Sequence, residues 1–84
     1  MGTLSKLPNI GGVLESRLNH IGITEPAELF ELGSKQAFIR LRQKNAGACL
    51  STLCALEGAI EGIRWHSLPS TVKTELKAFY KNLS

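Results

Sequence analysis

Apolar side chains recur every three or four residues along most of this 84-residue chain, and this spacing constrains its fold more than any other feature. An α-helix brings such positions onto one face, whereas a strand requires alternation with a period of two, which no stretch sustains. Glycine, proline and capping residues interrupt the pattern at short intervals. The chain is therefore predicted to be all-α, a compact bundle of about five short helices with short connections.

Residues that start or stop helices divide the chain into these five segments. In chain order, the expected boundaries are Gly22 after the first helix, Thr24 and Gly33 around the second, Ser34 and Asn45–Gly47 around the third, residues 48–64 for the fourth, and Pro69 in the first turn of the fifth. The apolar residues expected to be buried in the first two helices are Val13, Leu14, Leu18 and Ile21, then Leu29, Phe30 and Leu32.

The length and composition predict one globular domain over residues 1–84. With 43% hydrophobic residues the chain has enough apolar surface for a core, yet no apolar run is long enough to span a membrane. Cys49 and Cys54 lie five residues apart, which on a helix directs them about 140° away from each other. We therefore expect reduced, unreactive thiols and a cytoplasmic location.

The charges are unevenly distributed along the chain. Residues 1–34 carry a net charge of −2 and residues 35–84 a net charge of +5, which gives +3 overall. A basic half of this size favours an anionic partner only weakly.

The segment LPNIGG, residues 7–12, resembles the turn of a helix-hairpin-helix element, in which backbone N–H groups at a helix start face a DNA phosphate. Asn9 occupies the position of the usual first glycine, although asparagine tolerates a left-handed backbone. Glu15 follows where DNA-binding versions commonly place a cation. Asn9, Gly11 and Gly12 are therefore candidates either for phosphate contact or for a structural or protein-binding corner.

The third predicted helix carries the densest group of cations, which are Lys35, Arg40, Arg42 and Lys44. On a helix, Arg40 and Lys44 share one side, and Lys35 and Arg42 share another. The cations could form a solvated surface or bind DNA or an acidic protein surface. No aromatic residue is interleaved for base stacking, which disfavours binding to single strands.

The fourth predicted helix contains ALEGAIEG, in which Ala55, Gly58 and Gly62 fall on one face. A glycine inside a helix costs about 1 kcal/mol relative to alanine, so a close approach of another helix is expected to offset it. That neighbour could lie in the same chain or in a second subunit, which makes these residues a candidate dimer contact.

No residues form a recognisable catalytic, cofactor or metal site. The chain contains no aspartate, and none of its serines or cysteines lies in a motif that activates a nucleophile. His20, His66 and the two cysteines lack the spacing of zinc ligands, and no phosphate-binding loop of the Walker type occurs. We expect a protein that is not an enzyme and that uses neither a cofactor nor a metal.

Four segments together are similar to the C-terminal domain of the TfoX/Sxy family of bacterial competence regulators. They are LPNIG, L-x-x-IGI, ELFELGSKQAFIRLRQ and LCALEGAIEGIRWHSLP, and the resemblance covers about residues 4–80. The resemblance implies an all-helical domain with a helix-hairpin-helix-like element, a bacterial cytoplasmic location and a link to transcriptional control of DNA uptake. Full-length relatives carry a preceding α/β domain, so this chain is expected to be a free-standing version.

Two function hypotheses follow. In the first, the domain is a non-enzymatic binding module that contacts a protein, DNA or both, through Asn9–Gly12 and the basic third helix. In the second, it is a structural domain that self-associates, through the ridge of Ala55, Gly58 and Gly62 or through exposed aromatic residues, without binding nucleic acid. A protein partner is expected in both hypotheses, and a homodimer in the second.

Overall fold

The computed structural model describes residues 3–44 and 48–83. Its five α-helices are α1 (Gly12–His20), α2 (Pro26–Leu32), α3 (Ser34–Lys44), α4 (Leu50–Glu61) and α5 (Ser70–Asn82), and two short 3₁₀ helices cover Leu4–Lys6 and Trp65–Ser67. No strand occurs within the described residues. The all-α prediction with five helices is confirmed.

The helix α4 lies at the centre of the bundle because it is apolar around most of its circumference. Leu53, Leu56 and Ala59 are fully buried, and α3, α5 and the second 3₁₀ helix pack against α4. The helices α1 and α2 pack on α3 instead. Consequently one side of α3 faces α5, and the other side faces α1 and α2.

Some helices begin or end at the predicted capping residues, and others do not. Gly22 and Gly33 have φ angles of +90° and +88°, as expected for residues that end helices. Thr24, however, does not cap α2. Glu25 is the N-cap and forms a reciprocal capping box with Glu28, whose carboxylate also accepts hydrogen bonds from the amide and hydroxyl of Thr24.

Ser34 also has a different role from the predicted cap. It is the first residue of α3, it is buried, and its hydroxyl donates a 2.6 Å hydrogen bond to Oε1 of Glu57 on α4. Ser34 therefore joins α3 to α4. The predicted end of α3 at Asn45–Gly47 lies outside the described residues.

Two apolar residues expected to be buried face solvent. Val13 is 70% exposed and Phe30 is 47% exposed. Leu32 lies about 60° from Leu29 around the helix but Phe30 lies about 100° away on the opposite side, so a core-facing stripe centred between Leu29 and Leu32 excludes Phe30. In the fold Leu29 takes the core position, and Phe30 is left on the outer surface of α2.

Candidate functional site

The side chain of Asn9 holds the LPNIGG turn against the end of α4. Its Nδ2 donates to the carbonyl of Ile63 at 2.9 Å and to that of Ala55 at 3.4 Å, and its Oδ1 accepts the N–H of Trp65 at 3.0 Å. The backbone of Asn9 has a φ of +70°, the left-handed region that asparagine tolerates better than most residues. The amide of Asn9 is thus engaged in bonds within the chain.

The same contact explains the glycine inside α4. A Cβ built on Gly58 would lie 2.5 Å from Nδ2 of Asn9, 2.8 Å from the carbonyl oxygen of Ile63 and 3.2 Å from Cα of Trp65. The predicted close approach therefore exists, but it comes from the LPNIGG turn and from the backbone that follows α4. The neighbour lies in the same chain and is not another α-helix.

The predicted ridge of three small residues on α4 is wrong for Gly62. The helix ends at Glu61, and Gly62 is its C-cap in the left-handed conformation with a φ of +76°. Gly62 ends the helix, as a glycine in this conformation commonly does. Ala55 and Gly58 are buried, and Gly58 is covered by Asn9 and the backbone of Ile63 and Trp65, so the three residues do not form an open ridge on α4.

Gly11 and Gly12, the other candidates in the turn, are exposed at the start of α1. A Cβ added to either glycine would meet nothing within 4 Å. They line an open groove of about 380 Å³ whose other walls include Arg17, Thr52 and Ala55. In the described part of the chain the element before the turn is only the 3₁₀ helix Leu4–Lys6. A helix-hairpin-helix element here remains a prediction.

Glu15 is turned back toward that 3₁₀ helix. Its Oε2 accepts the N–H of Ser5 at 3.0 Å. This carboxylate therefore links α1 to the segment before the turn.

Two of the four cations of α3 are in contact with α5. The Nζ of Lys35 lies 3.8 Å from Oε1 of Glu75 and 5.4 Å from the ring centre of Phe79. The guanidinium of Arg42 lies 5.0 Å from the ring centre of Tyr80. These cations cover aromatic side chains of the bundle, an arrangement that stabilises packing through cation–π attraction.

This difference between the cations gives a stability prediction. Replacing Arg42 with glutamine should lower the free energy of unfolding by about 1 kcal/mol, because the aromatic face loses its cation. The matched variant Arg40→Gln removes one exposed charge from the same helix and should change stability by less than about 0.5 kcal/mol. Urea unfolding followed by circular dichroism measures both, and equal losses would contradict the assignment.

The other two cations, Arg40 and Lys44, are exposed on the side of α3 that faces α1. There they join Arg17 and His20 from the last turns of α1, and we call these four residues the basic cluster. A cleft of about 390 Å³ is lined by Ser16, Arg17, His20, Leu41 and Lys44, and a second of about 320 Å³ by His20, Ile21, Arg40, Gln43 and Lys44. Leu41 supplies an apolar floor between the charged side chains.

Acidic side chains adjoin this cluster. A third cleft, of about 300 Å³, is lined by Glu28 and Glu31 of α2 and by Arg40. The amide of Thr24, followed by its hydroxyl, holds the pKa of Glu28 below its ordinary value, so this carboxylate is ionised at neutral pH. We call Glu28 and Glu31 the acidic flank.

The sequence did not indicate that Cys49 would be an unusual thiol. It is exposed at the N-cap of α4, and its Sγ lies 3.1 Å from the hydroxyl of Ser51. That hydroxyl, with a further contribution from the backbone amide of Thr52, lowers the pKa of Cys49 to about 7. Burial raises the pKa of Cys54. The prediction of an unreactive thiol is therefore wrong for Cys49. The feature that could have indicated the lowered pKa is its position just before a helix, with hydroxyl residues two and three positions further along the chain.

Alkylation should distinguish the two thiols. Because the thiolate is the reactive form, the reaction of Cys49 with iodoacetamide should accelerate as the pH rises through about 7. Cys54 should react only after unfolding. Mass spectrometry after timed quenching measures both rates, and the variant Cys49→Ser isolates Cys54. A midpoint for Cys49 near the ordinary thiol value would contradict the geometry.

Among residues 3–44 and 48–83, no three His, Cys or Glu side chains come together as a group that could hold a metal ion. In the same part of the chain, no helix is long and apolar enough to cross a membrane.

Comparisons with known proteins agree with this architecture. The family model described as the TfoX C-terminal domain matches residues 1–80. Protein Sxy of Escherichia coli (strain K12) is 38% identical over 81 residues, which cover 96% of this chain. They cover only 39% of Protein Sxy, so the chain spans well under half the length of that relative.

Two solved structures are also similar. A crystal structure of an uncharacterized protein from Listeria monocytogenes in a triclinic form has a TM-score of 0.95 and 51% identity, with 98% of this chain and 93% of that chain covered. A protein of unknown function from the same organism, in a tetragonal form, gives the same score and identity and is covered completely. On the family match and the similarity to Protein Sxy, the chain belongs to the TfoX C-terminal domain family.

Proposed function

We propose that residues 1–84 form one non-enzymatic binding domain, which acts in transcriptional regulation in the bacterial cytoplasm by contacting a partner protein. The observation that carries this proposal is the charged face of α1, α2 and α3, where the basic cluster and the acidic flank lie side by side. Lys35, Arg42 and Asn9 are engaged in contacts that stabilise the fold. On the charged face Glu28 closes the capping box of α2, so Arg40, Lys44 and Glu31 are the exposed charges that a partner would meet. The kinship with Protein Sxy, a member of the competence-regulator family that the sequence resembles, supports the regulatory role.

A protein partner agrees with this face better than a DNA duplex does. A duplex presents negative charge along both strands, so it gains contacts with the basic cluster but is repelled by Glu28 and Glu31 beside it. A protein surface can carry both signs of charge and an apolar group for the floor at Leu41. DNA contact through Arg17, Arg40 and Lys44 is the competing hypothesis.

The experiment is a capture assay with the tagged domain in a lysate of the native host, with and without nuclease. The test variant is Arg40→Glu/Lys44→Glu, and the control is Lys6→Glu/Lys77→Glu, which makes the same change in net charge at exposed positions away from the face. Proteins that bind the wild type and the control, but not the test variant, should be retained after nuclease treatment.

Two results would contradict the proposal. Identical sets of captured proteins for the test and control variants would show that the charged face is not used. Loss of the captured proteins after nuclease would favour DNA contact. In that case duplex affinity should also fall steeply with salt, because phosphate contacts release counterions.

A further inference from the structure

The charged face is bipolar, and its two halves meet at one residue. Arg40 lines a cleft with Glu28 and Glu31 on one side and a cleft with His20 and Lys44 on the other. The positive half and the negative half therefore adjoin on a continuous surface formed by three helices. Each half of this surface is therefore complementary in charge to the other half.

A two-fold axis at the boundary between the halves would place the positive half of one copy on the negative half of another. In such an interface each contact occurs twice, because the same patch is used by both subunits. From this self-complementarity we infer that the partner at this face is a second copy of the chain, with the basic cluster of each copy against the acidic flank of the other. This inference rests on the charged face proposed above as the binding surface.

The size of the molecule permits such an interface. A specific protein interface removes about 800 Å² of accessible surface from each partner. The chain exposes 4909 Å², so one side of three helices is large enough to supply that area. Because the contacts are charged and exposed, the association should weaken as the salt concentration rises.

Reversing the charge of one residue in each half tests this inference. Lys44→Glu and Glu31→Lys each place like charges opposite one another in a homodimer, and each should weaken self-association at least tenfold in sedimentation equilibrium. An equimolar mixture of the two variants should recover association, since the heterodimer has opposite charges at both positions. The double variant should recover it also.

Several outcomes would overturn the inference. They are a wild-type chain that sediments as a monomer at about millimolar concentration and low salt, a dimer unchanged by both single charge reversals, and a mixture that does not associate better than its components. A control reversal, Lys77→Glu on α5, should leave association unchanged, and a loss there would also overturn it.

This result is separable from the capture assay. A monomeric chain whose captured proteins are lost in Arg40→Glu/Lys44→Glu would overturn the dimer and leave the proposed function intact. A dimer that responds to charge exchange, while the captured proteins are unaffected by the same substitutions, would establish self-association and contradict the proposed function.

Discussion

Replacing Asn9 with alanine is expected to lower the free energy of unfolding by about 3 kcal/mol, a large share of the stability of a small domain. The substitution removes the hydrogen bonds to the carbonyl groups of Ile63 and Ala55 and leaves the N–H of Trp65 without its acceptor. It also places a residue with a Cβ, but without the local polar side chain of asparagine, at a φ of +70°. Urea unfolding of the wild type and the variant measures the difference.

Asn9→Gly is the matched control for backbone strain. Glycine loses the same hydrogen bonds but adopts a positive φ without cost, so this variant should be about 1 kcal/mol more stable than Asn9→Ala. If both variants retain wild-type stability, the turn is not held to α4 in the way described.

Replacing Gly58 with alanine is the second large effect, and its direction is opposite to the usual helix preference. In an open helix the change would stabilise by about 1 kcal/mol. Here the added Cβ would meet Nδ2 of Asn9 and the backbone of Ile63 and Trp65, and overpacking of this kind costs about 1–3 kcal/mol. Because backbone atoms cannot move aside easily, we expect a net loss of about 2 kcal/mol.

The matched control for this prediction is Gly12→Ala, which adds the same group to the first turn of α1. A Cβ at Gly12 meets nothing within 4 Å, so the variant should be as stable as the wild type or slightly more so. Combining Gly58→Ala with Asn9→Ala should cost less than the sum of the two single changes, because removing the Asn9 side chain relieves one of the clashes. A stabilising Gly58→Ala would contradict the close approach.

The sequence predicts the helices because they depend on local signals. The spacing of apolar residues, together with Gly22 and Gly33, places all five elements, and the tolerance of asparagine for positive φ accounts for Asn9 in a glycine position. The cations of α3 also divide between two sides as the helical spacing indicates. The packing of the helices decides which of these two sides contacts α5 and which faces solvent. The sequence of α3 alone therefore could not predict it.

The features that the sequence did not predict depend on contacts between distant segments or on the orientation of one side chain. The bonds of Asn9 join residues 46 to 56 positions apart. They also supply the close approach at Gly58, where the sequence predicted a neighbour but could not identify it. Phe30 was misplaced because three apolar residues within four positions do not define one face, and the pKa of Cys49 depends on where the hydroxyl of Ser51 points.

The LPNIGG turn is thus assigned an architectural role, and binding is assigned to the charged face of α1, α2 and α3. The most direct test compares two double variants that lower the net charge equally, Gly11→Glu/Gly12→Glu in the turn and Arg40→Gln/Lys44→Gln on the face. All four positions are exposed, so both variants should fold. Capture by the tagged domain should be retained in the turn variant and lost in the face variant. Loss in the turn variant with retention in the face variant would contradict the account.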